Sequence, residues 1–323
     1  MKKLLYILSA ALFIGCAAPV EKSAEIEVIG HRGGRYETDE NTLSAFEESY
    51  NNGVRSYETD IRLTADNELV ISHDASLKRT FGVDVDVEKS NRSDLTQYKS
   101  LKGHPVLFVD ELAKFYSTRE IRYIEWEMKS NNYTPEQLEL YCDKLYNTVM
   151  PLKPAQALYI FSSFDERAIA TMQRVHPDAE VMYITAKPMS EQLIAHLKSL
   201  NVRRVGCTIN GTSREAMKAA HKENLIVNLW PGSSVEDFQL ALALGADIAC
   251  SDVPVAVINF ANQNMKWAST TKCLKYKQQL QLTQNCPLFQ LTQKARTVPF
   301  LKKSDPKDFR QNFVLLVADA DLG

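Results

Sequence analysis

Two rhythms of apolar residues run along the chain. In short runs every second residue is apolar, as in a strand with one buried face. In longer runs apolar residues recur every three or four positions, as on one face of a helix. Candidate strands end near His31, Asp60, His73, Lys129, Ser162, Thr185, Thr208, Trp230 and Asp252. Helical patterns cover residues 43–52, 135–149, 166–176, 191–200, 214–223 and 235–244. The first is punctuated at both ends, by Asn41-Thr42 before it and Gly53 after it. From Ala157 onward strands recur at intervals of roughly twenty residues, the rhythm of βα units in a parallel sheet. Repeated this often, the rhythm predicts an α/β fold closed into a (β/α)8 barrel of the TIM type. Nine candidate strands compete for eight places, and the stretch from Asp60 to His73 is too short for a helical crossover.

Both ends of the chain fall outside this rhythm. After a basic start at Met1-Lys2-Lys3, Leu4 to Ile14 is almost wholly apolar, and Gly15-Cys16 follows. The run is short for a bilayer span and suits the core of a signal peptide. The stretch "FIGC" resembles a bacterial lipoprotein lipobox, with Cys16 lipidated after cleavage. An ordinary secretory signal with a chance cysteine is the competing reading. The lipobox implies a signal peptide over 1–15, a tether over 16–25, and a lipid anchor holding the protein to a membrane of the cell envelope. The barrel would then lie on the periplasmic or extracellular side. Residues 261–323 are rich in Lys, Gln and Thr and lack the βα rhythm. A disordered or loosely docked tail is expected there, ahead of a shifted reading frame or a surface-binding element, and no role is assigned to it.

Composition acts mainly by exclusion. The 323 residues are 45% hydrophobic and 24% charged, an ordinary globular balance. A net charge of -2 gives no footprint for nucleic acid. Cys142, Cys207, Cys250, Cys273 and Cys286 are scattered without metal-type spacing and read as buried thiols.

The chemistry gathers at strand ends, where (β/α)8 barrels place their active sites. The first strand closes on His31-Arg32 and then Gly33-Gly34, glycines expected to let a phosphate approach the backbone. In "SYETDIRL" Glu58, Asp60 and Arg62 share one face; in "YIEWEMKS" Glu125, Glu127 and Lys129 do. Between them "ELVISHD" ends on His73-Asp74. Singly, each pair reads as a solvated strand face or a turn. Together, on successive strands, they make a poor surface and a good site for metal and phosphate.

The ordered motifs His31-Arg32-Gly33, Asp39-Glu40-Asn41-Thr42, Glu58-Thr59-Asp60, His73-Asp74 and Glu127-Met128-Lys129 resemble those of glycerophosphodiester phosphodiesterases, a family of phospholipase-C-like barrels. Later echoes are "SSFDE", "VNLW" and "GADIACSDVP", and the likeness covers about residues 26–260. Two departures stand out: Asp39 replaces the family's proline, and "WPG" after Leu229 replaces its W-T-x-N. The resemblance implies metal-dependent hydrolysis of glycerophosphodiesters to an alcohol and sn-glycerol 3-phosphate. Glu58, Asp60 and Glu127 would hold a divalent cation, Ca2+ or Mg2+ by their oxygen chemistry. Arg32 and Lys129 would bind the phosphate, and His31 and His73 would serve as acid and base, in an order left open. Glu40 and Asn41 would position the first loop. Trp230 would wall the substrate or simply pack at the mouth. Residues 75–112 resemble the family's small insertion after the third strand and are expected to shape specificity. The alternatives are a phospholipase acting on intact phospholipids and a catalytically silent surface barrel. The resemblance says nothing of oligomeric state.

Overall fold

The structure, a computed structural model, describes residues 24–130, 132–265 and 268–270. The expected signal peptide, Cys16, all but the last two tether residues, and the tail beyond residue 270 lie outside the described residues.

A two-residue strand β1 (Ala24–Glu25) leads into β2 (Glu27–His31), followed by β3 (Ser56–Leu63), β4 (Leu69–Ile71), β5 (Tyr123–Met128), β6 (Leu158–Ser163), β7 (Val181–Pro188), β8 (Arg204–Thr208), β9 (Ile226–Gly232), β10 (Ile248–Ser251) and β11 (Ala268–Ser269). From β2 to β10, with β4 set aside, eight strands pair in parallel in chain order, and β10 pairs with β2 to close the barrel. The ninth candidate strand is thereby explained. β4 runs antiparallel to the end of β3, with Ile61 opposite Ile71 and Leu63 opposite Leu69. A hairpin needs only a turn, which Asn67 helps to make at φ 60°, so no crossover is required between Asp60 and His73. The expectation that His73 closes the third barrel strand is therefore corrected. His73 follows an antiparallel flap, and the third barrel strand is β5.

The helices are α1 (Leu43–Asn51), α2 (Lys78–Phe81), α3 (Arg92–Leu95), α4 (Val109–Ser117), α5 (Pro135–Val149), α6 (Glu166–Val175), α7 (Glu191–Ser199), α8 (Arg214–Lys222), α9 (Val235–Leu244) and α10 (Pro254–Asn264). Their starts follow from local chemistry. The Thr42 hydroxyl accepts from the amide of Ala45 at the head of α1. Thr134 and Gln137 form a capping box on α5, with Pro135 in its first turn. Outward-facing strand residues such as Tyr57, Ile61, Trp126 and Phe161 pack with the helices into the main core. A smaller cluster, including Ile29, Ile160, Ile184 and Ile248, fills the barrel interior. The insertion has a core of its own, in which Val70 of β4 and Phe108 meet Leu77, Val87, Leu95 and Val106. Residues 109–112, read from sequence as its last stretch, belong to the crossover helix α4.

The sequence boundary at residue 260 falls inside α10, whose last turn buries Ala261. Met265 just beyond is also buried, and β11 then pairs in parallel with β1. The amide of Ile26 donates to Ser269 O at 3.0 Å. A chain ended at residue 260 loses these contacts, whereas one ended at residue 270 keeps them. Burying one methionine-sized side chain contributes about 1.5–3 kcal/mol. The shorter chain should therefore melt about 5–10 °C below the longer one. Equal melting temperatures would show that residues 261–270 add nothing to the barrel.

Candidate active site

Strand register assembles the site. Parallel pairing sets His31 opposite Glu58, Glu58 opposite Glu125, and Asp60 opposite Glu127. Alternation then points Glu58, Asp60, Glu125 and Glu127 into the mouth, while Tyr57, Thr59 and Trp126 face the helices. Their ends open on a cavity of about 240 Å³ whose lining includes His31, Arg32, Glu58, His73, Glu127 and Lys129.

Oxygens of Glu58, Asp60 and Glu127 all lie within 4.8 Å of one another, and all three side chains are buried. At that separation two carboxylates repel by about 3 kcal/mol at an effective dielectric constant of ~20. Two cations answer part of the charge. Arg32 Nε is 3.1 Å from Asp60 Oδ2, and Lys129 Nζ is 3.0 Å from Asp60 Oδ1. Lys129 also reaches Glu127. Asn41 adds a neutral donor, its Nδ2 lying 2.8 Å from Asp60 Oδ2, and its own Oδ1 accepts from the Thr59 hydroxyl at 3.1 Å.

The acids consequently divide. Burial would push the Asp60 carboxyl up, but the charges of Lys129 and Arg32 hold it well below the usual range. Glu58 goes the other way. Burial, and then the charges of Asp60 and Glu127, push it well above its ordinary value. Its Oε2 accepts the Arg32 amide at 3.1 Å, while Oε1 is buried with no hydrogen-bond partner. A buried carboxylate oxygen left open beside two other acids suits a cation. The donor set is all oxygen, so the residues present fit a hard divalent ion such as Ca2+ or Mg2+. Glu125 lies one strand repeat below Glu127, holding hydroxyl and amide donors from Ser162 and Asn228 at 3.0 and 3.1 Å. Burial and then the Glu127 charge push it up to about 8, so at neutral pH it adds little charge to the cluster.

Both histidines are oriented by carboxylates that the sequence reading did not name as site residues. His31 Nδ1 is 2.5 Å from Asp252 Oδ1, and His73 Nδ1 is 2.7 Å from Asp74 Oδ1. Each imidazole thus turns Nε2 to the cavity, and His31 Nε2 lies 3.6 Å from Glu58 Oε2. Burial pushes His73 below its ordinary value, with Lys129 and Arg32 acting in the same sense against the pull of Asp60. Burial would raise Asp252, but the hydrogen bond and charge of His31, with the charge of Arg35, hold it low. Asp74 was legible as part of a His-Asp pair. Asp252 is 221 residues from His31 and adjoins it only because the barrel closes.

The first loop is the most contorted backbone of the site. Arg32 and Asn41 sit at φ 54° and 58°, in the left-handed region. A Cβ on Gly33 would lie 2.9 Å from the Ala45 Cβ, and one on Gly34 would lie 3.1 Å from Pro254. The glycines therefore serve close packing of the turn against α1 and α10. Glu40 accepts from Arg32 Nη1 at 3.0 Å. Trp230 does line the mouth, edge-on to Phe164 with ring centroids 5.9 Å apart. Cys142, Cys207 and Cys250 are buried free thiols.

A profile of the glycerophosphoryl diester phosphodiesterase family matches residues 31–256. A glycerophosphodiester phosphodiesterase from Bacillus altitudinis is 24% identical over 237 residues, 71% of this chain and 95% of that protein. A stretch of 70 residues is 43% identical to a lysophospholipase D from Rattus norvegicus, 22% of each chain. Among solved structures, a phosphodiesterase from Oleispira antarctica in complex with the product sn-glycerol-3-phosphate has the same fold. Its TM-score is 0.67 at 19% identity, over 73% of this chain and 96% of that one.

Proposed function

The chain belongs to the glycerophosphoryl diester phosphodiesterase family, and from that premise we propose that it cleaves glycerophosphodiesters to an alcohol and sn-glycerol 3-phosphate with one divalent cation held by Glu58, Asp60 and Glu127. It is a phosphoric diester hydrolase, and the reading of it as a silent barrel is set aside. The observation that carries the proposal is the cluster of three buried carboxylates, with two cationic side chains and two carboxylate-oriented histidines, at the wall of one cavity.

When bound, the cation supplies positive charge beside the phosphate oxygens, where negative charge accumulates on the way to product. Arg32 and Lys129 are fixed on Asp60 and still have donors to offer, so the phosphate meets cations already in place. One histidine takes a proton from the attacking oxygen at its Nε2, and the other gives one to the departing alcohol. Asp252 and Asp74 hold the two rings by Nδ1 and so keep Nε2 toward the reacting atoms. Trp230 and Phe164 offer an apolar wall to the carbon skeleton of the substrate. A second reading, in which intact lysophospholipids are also cleaved, rests on this wall and on the short match to a lysophospholipase D.

We place the enzyme at the cell envelope, anchored through Cys16, on the strength of the apolar run ending at Gly15-Cys16. Among the described residues no helix is long and apolar enough to cross a membrane. Cys16→Ser should shift the protein in cell fractionation from the membrane to the soluble or unprocessed fraction. An unlipidated, wholly soluble wild-type protein would overturn the placement.

Chelation should abolish turnover of glycerophosphocholine, and Ca2+ or Mg2+ should restore it. Glu58→Gln should weaken titrated cation binding by tenfold or more, at about 1.4 kcal/mol per decade. Full turnover in metal-free chelator would exclude the cation. Running lysophosphatidylcholine beside glycerophosphocholine decides the second reading, since a rate on the latter alone removes it.

His31→Ala and His73→Ala should each lower kcat on glycerophosphocholine by about a hundredfold to ten-thousandfold while cation binding persists. One of the two should recover on a nitrophenyl diester, whose phenolate leaves without a proton, and that variant identifies the acid. Near wild-type rates for both on glycerophosphocholine would make the histidines structural.

A further inference from the structure

The sequence reading gave no part to Arg79, in α2 at the start of the insertion. Its guanidinium makes three short bonds to two carboxylates from different segments. Nη1 and Nη2 bind the two oxygens of Glu40 at 2.7 and 2.8 Å, and Nε binds Asp74 Oδ2 at 2.6 Å. Glu40 belongs to the loop after β2, and Asp74 to the bend after β4. Beyond each carboxylate lies a group of the site. Glu40 Oε1 holds Arg32 Nη1 at 3.0 Å, and Asp74 Oδ1 holds His73 Nδ1 at 2.7 Å. Charges alternate along Asp60, Arg32, Glu40, Arg79 and Asp74, and the last of these holds the His73 ring.

We propose that Arg79 is a positioning residue that sets His73 against the phosphate cradle by clamping Asp74 to Glu40. The proposal rests on the assignment of His73 as an acid–base catalyst made above. His73 does not stand on a barrel strand; Arg62 of β3 holds its backbone carbonyl, with Nε at 3.1 Å and Nη2 at 2.7 Å, which leaves the ring to be set through Asp74. His73 follows the short flap β4, and without Arg79 the acids on either side would repel each other across the gap. A planar fork that donates from all three of its nitrogens can hold two carboxylates in one geometry, which a lysine cannot.

The anchor of the clamp is itself fixed. The Leu101 amide donates to Thr80 O at 2.9 Å, next to Arg79. Farther along the same segment, His104 Nδ1 lies 2.7 Å from Asp39 Oδ2, and Lys102 Nζ donates to Thr38 O at 2.7 Å. The insertion is thus also pinned at Thr38 and Asp39, just ahead of Glu40. Exposed ion pairs usually add little to stability, and the Arg79 side chain is 48% exposed. The consequence of losing it should appear in the reaction and only slightly in folding.

The test is a double-mutant cycle on glycerophosphocholine with saturating divalent cation. Arg79→Ala should lower kcat by about 10- to 100-fold, the scale of a misplaced catalytic group. KM should stay within about threefold and the melting temperature within a few degrees. In a His73→Ala background the same substitution should cost less than about threefold, because there is no longer a ring to position. If Arg79→Ala fails to fold, Arg79→Gln is read in the same way. A loss from Arg79 substitution that is under twofold, or undiminished in a slow His73→Ala enzyme, overturns the clamp alone. A His73→Ala enzyme at wild-type rate overturns the acid–base assignment, and the clamp with it.

Discussion

The charge on Asp60 is the fixed point on which the site is assembled. Its side chain is wholly buried, and groups from three separate segments meet it: Arg32 from the loop after β2 and Lys129 from the end of β5 as ion pairs, and Asn41 from the head of α1 as a hydrogen-bond donor. Desolvating an ion costs several kcal/mol unless partners replace water. The chain satisfies that demand by bending two non-glycine residues, Arg32 and Asn41, into the left-handed region, at a cost of order 1–3 kcal/mol each. The contacts made to Asp60 offset both the burial and the strain. The same contacts that settle Asp60 hold two phosphate-seeking cations before any phosphate arrives.

The surplus of negative charge has a different origin. Register in a closed parallel barrel places Asp60 directly across from Glu127 and Glu58 across from His31. Closure through β10 and β2 then delivers Asp252 to the other side of His31. The site's charged groups stand on four neighbouring strands, β10, β2, β3 and β5, and the two ends of the chain meet there only because the sheet closes. Catalytic competence and closure of the sheet are one structural event, and the cluster adds a penalty to closure that protons or a cation can relieve.

The fold was legible because its signals are local. Two-residue alternation, caps such as Thr42 and Thr134, and the βα spacing after Ala157 all survive in a single sequence. The convergence of Glu58, Asp60 and Glu127 was legible for the same reason, since alternation alone places them on inward faces. Where the reading erred, direction or distance was at issue. A three-residue strand such as β4 looks alike whether it runs parallel or antiparallel, so His73 was assigned to the wrong kind of strand end. The packing role of Gly33 and Gly34 is likewise a matter of distance, since sequence does not show that Ala45 and Pro254 fill the space beside them. Asp252 depends on closure, and Arg79 on how an insertion folds back, and neither leaves a short-range pattern.

The small ribbon of β1 and β11 governs how the molecule can be approached. The chain enters at the foot of β2, and the last described residues return to that foot, while the reacting groups stand at the opposite ends of the strands. The five residues of β2 alone separate the two levels by about 16 Å. The barrel is therefore a cup on a stem. The ribbon lies beneath the floor, and the opening is at the far end of the strands from it. Traffic in and out of the cup need not pass the stem or its support, so a neighbour crowding the stem would leave the catalytic opening clear.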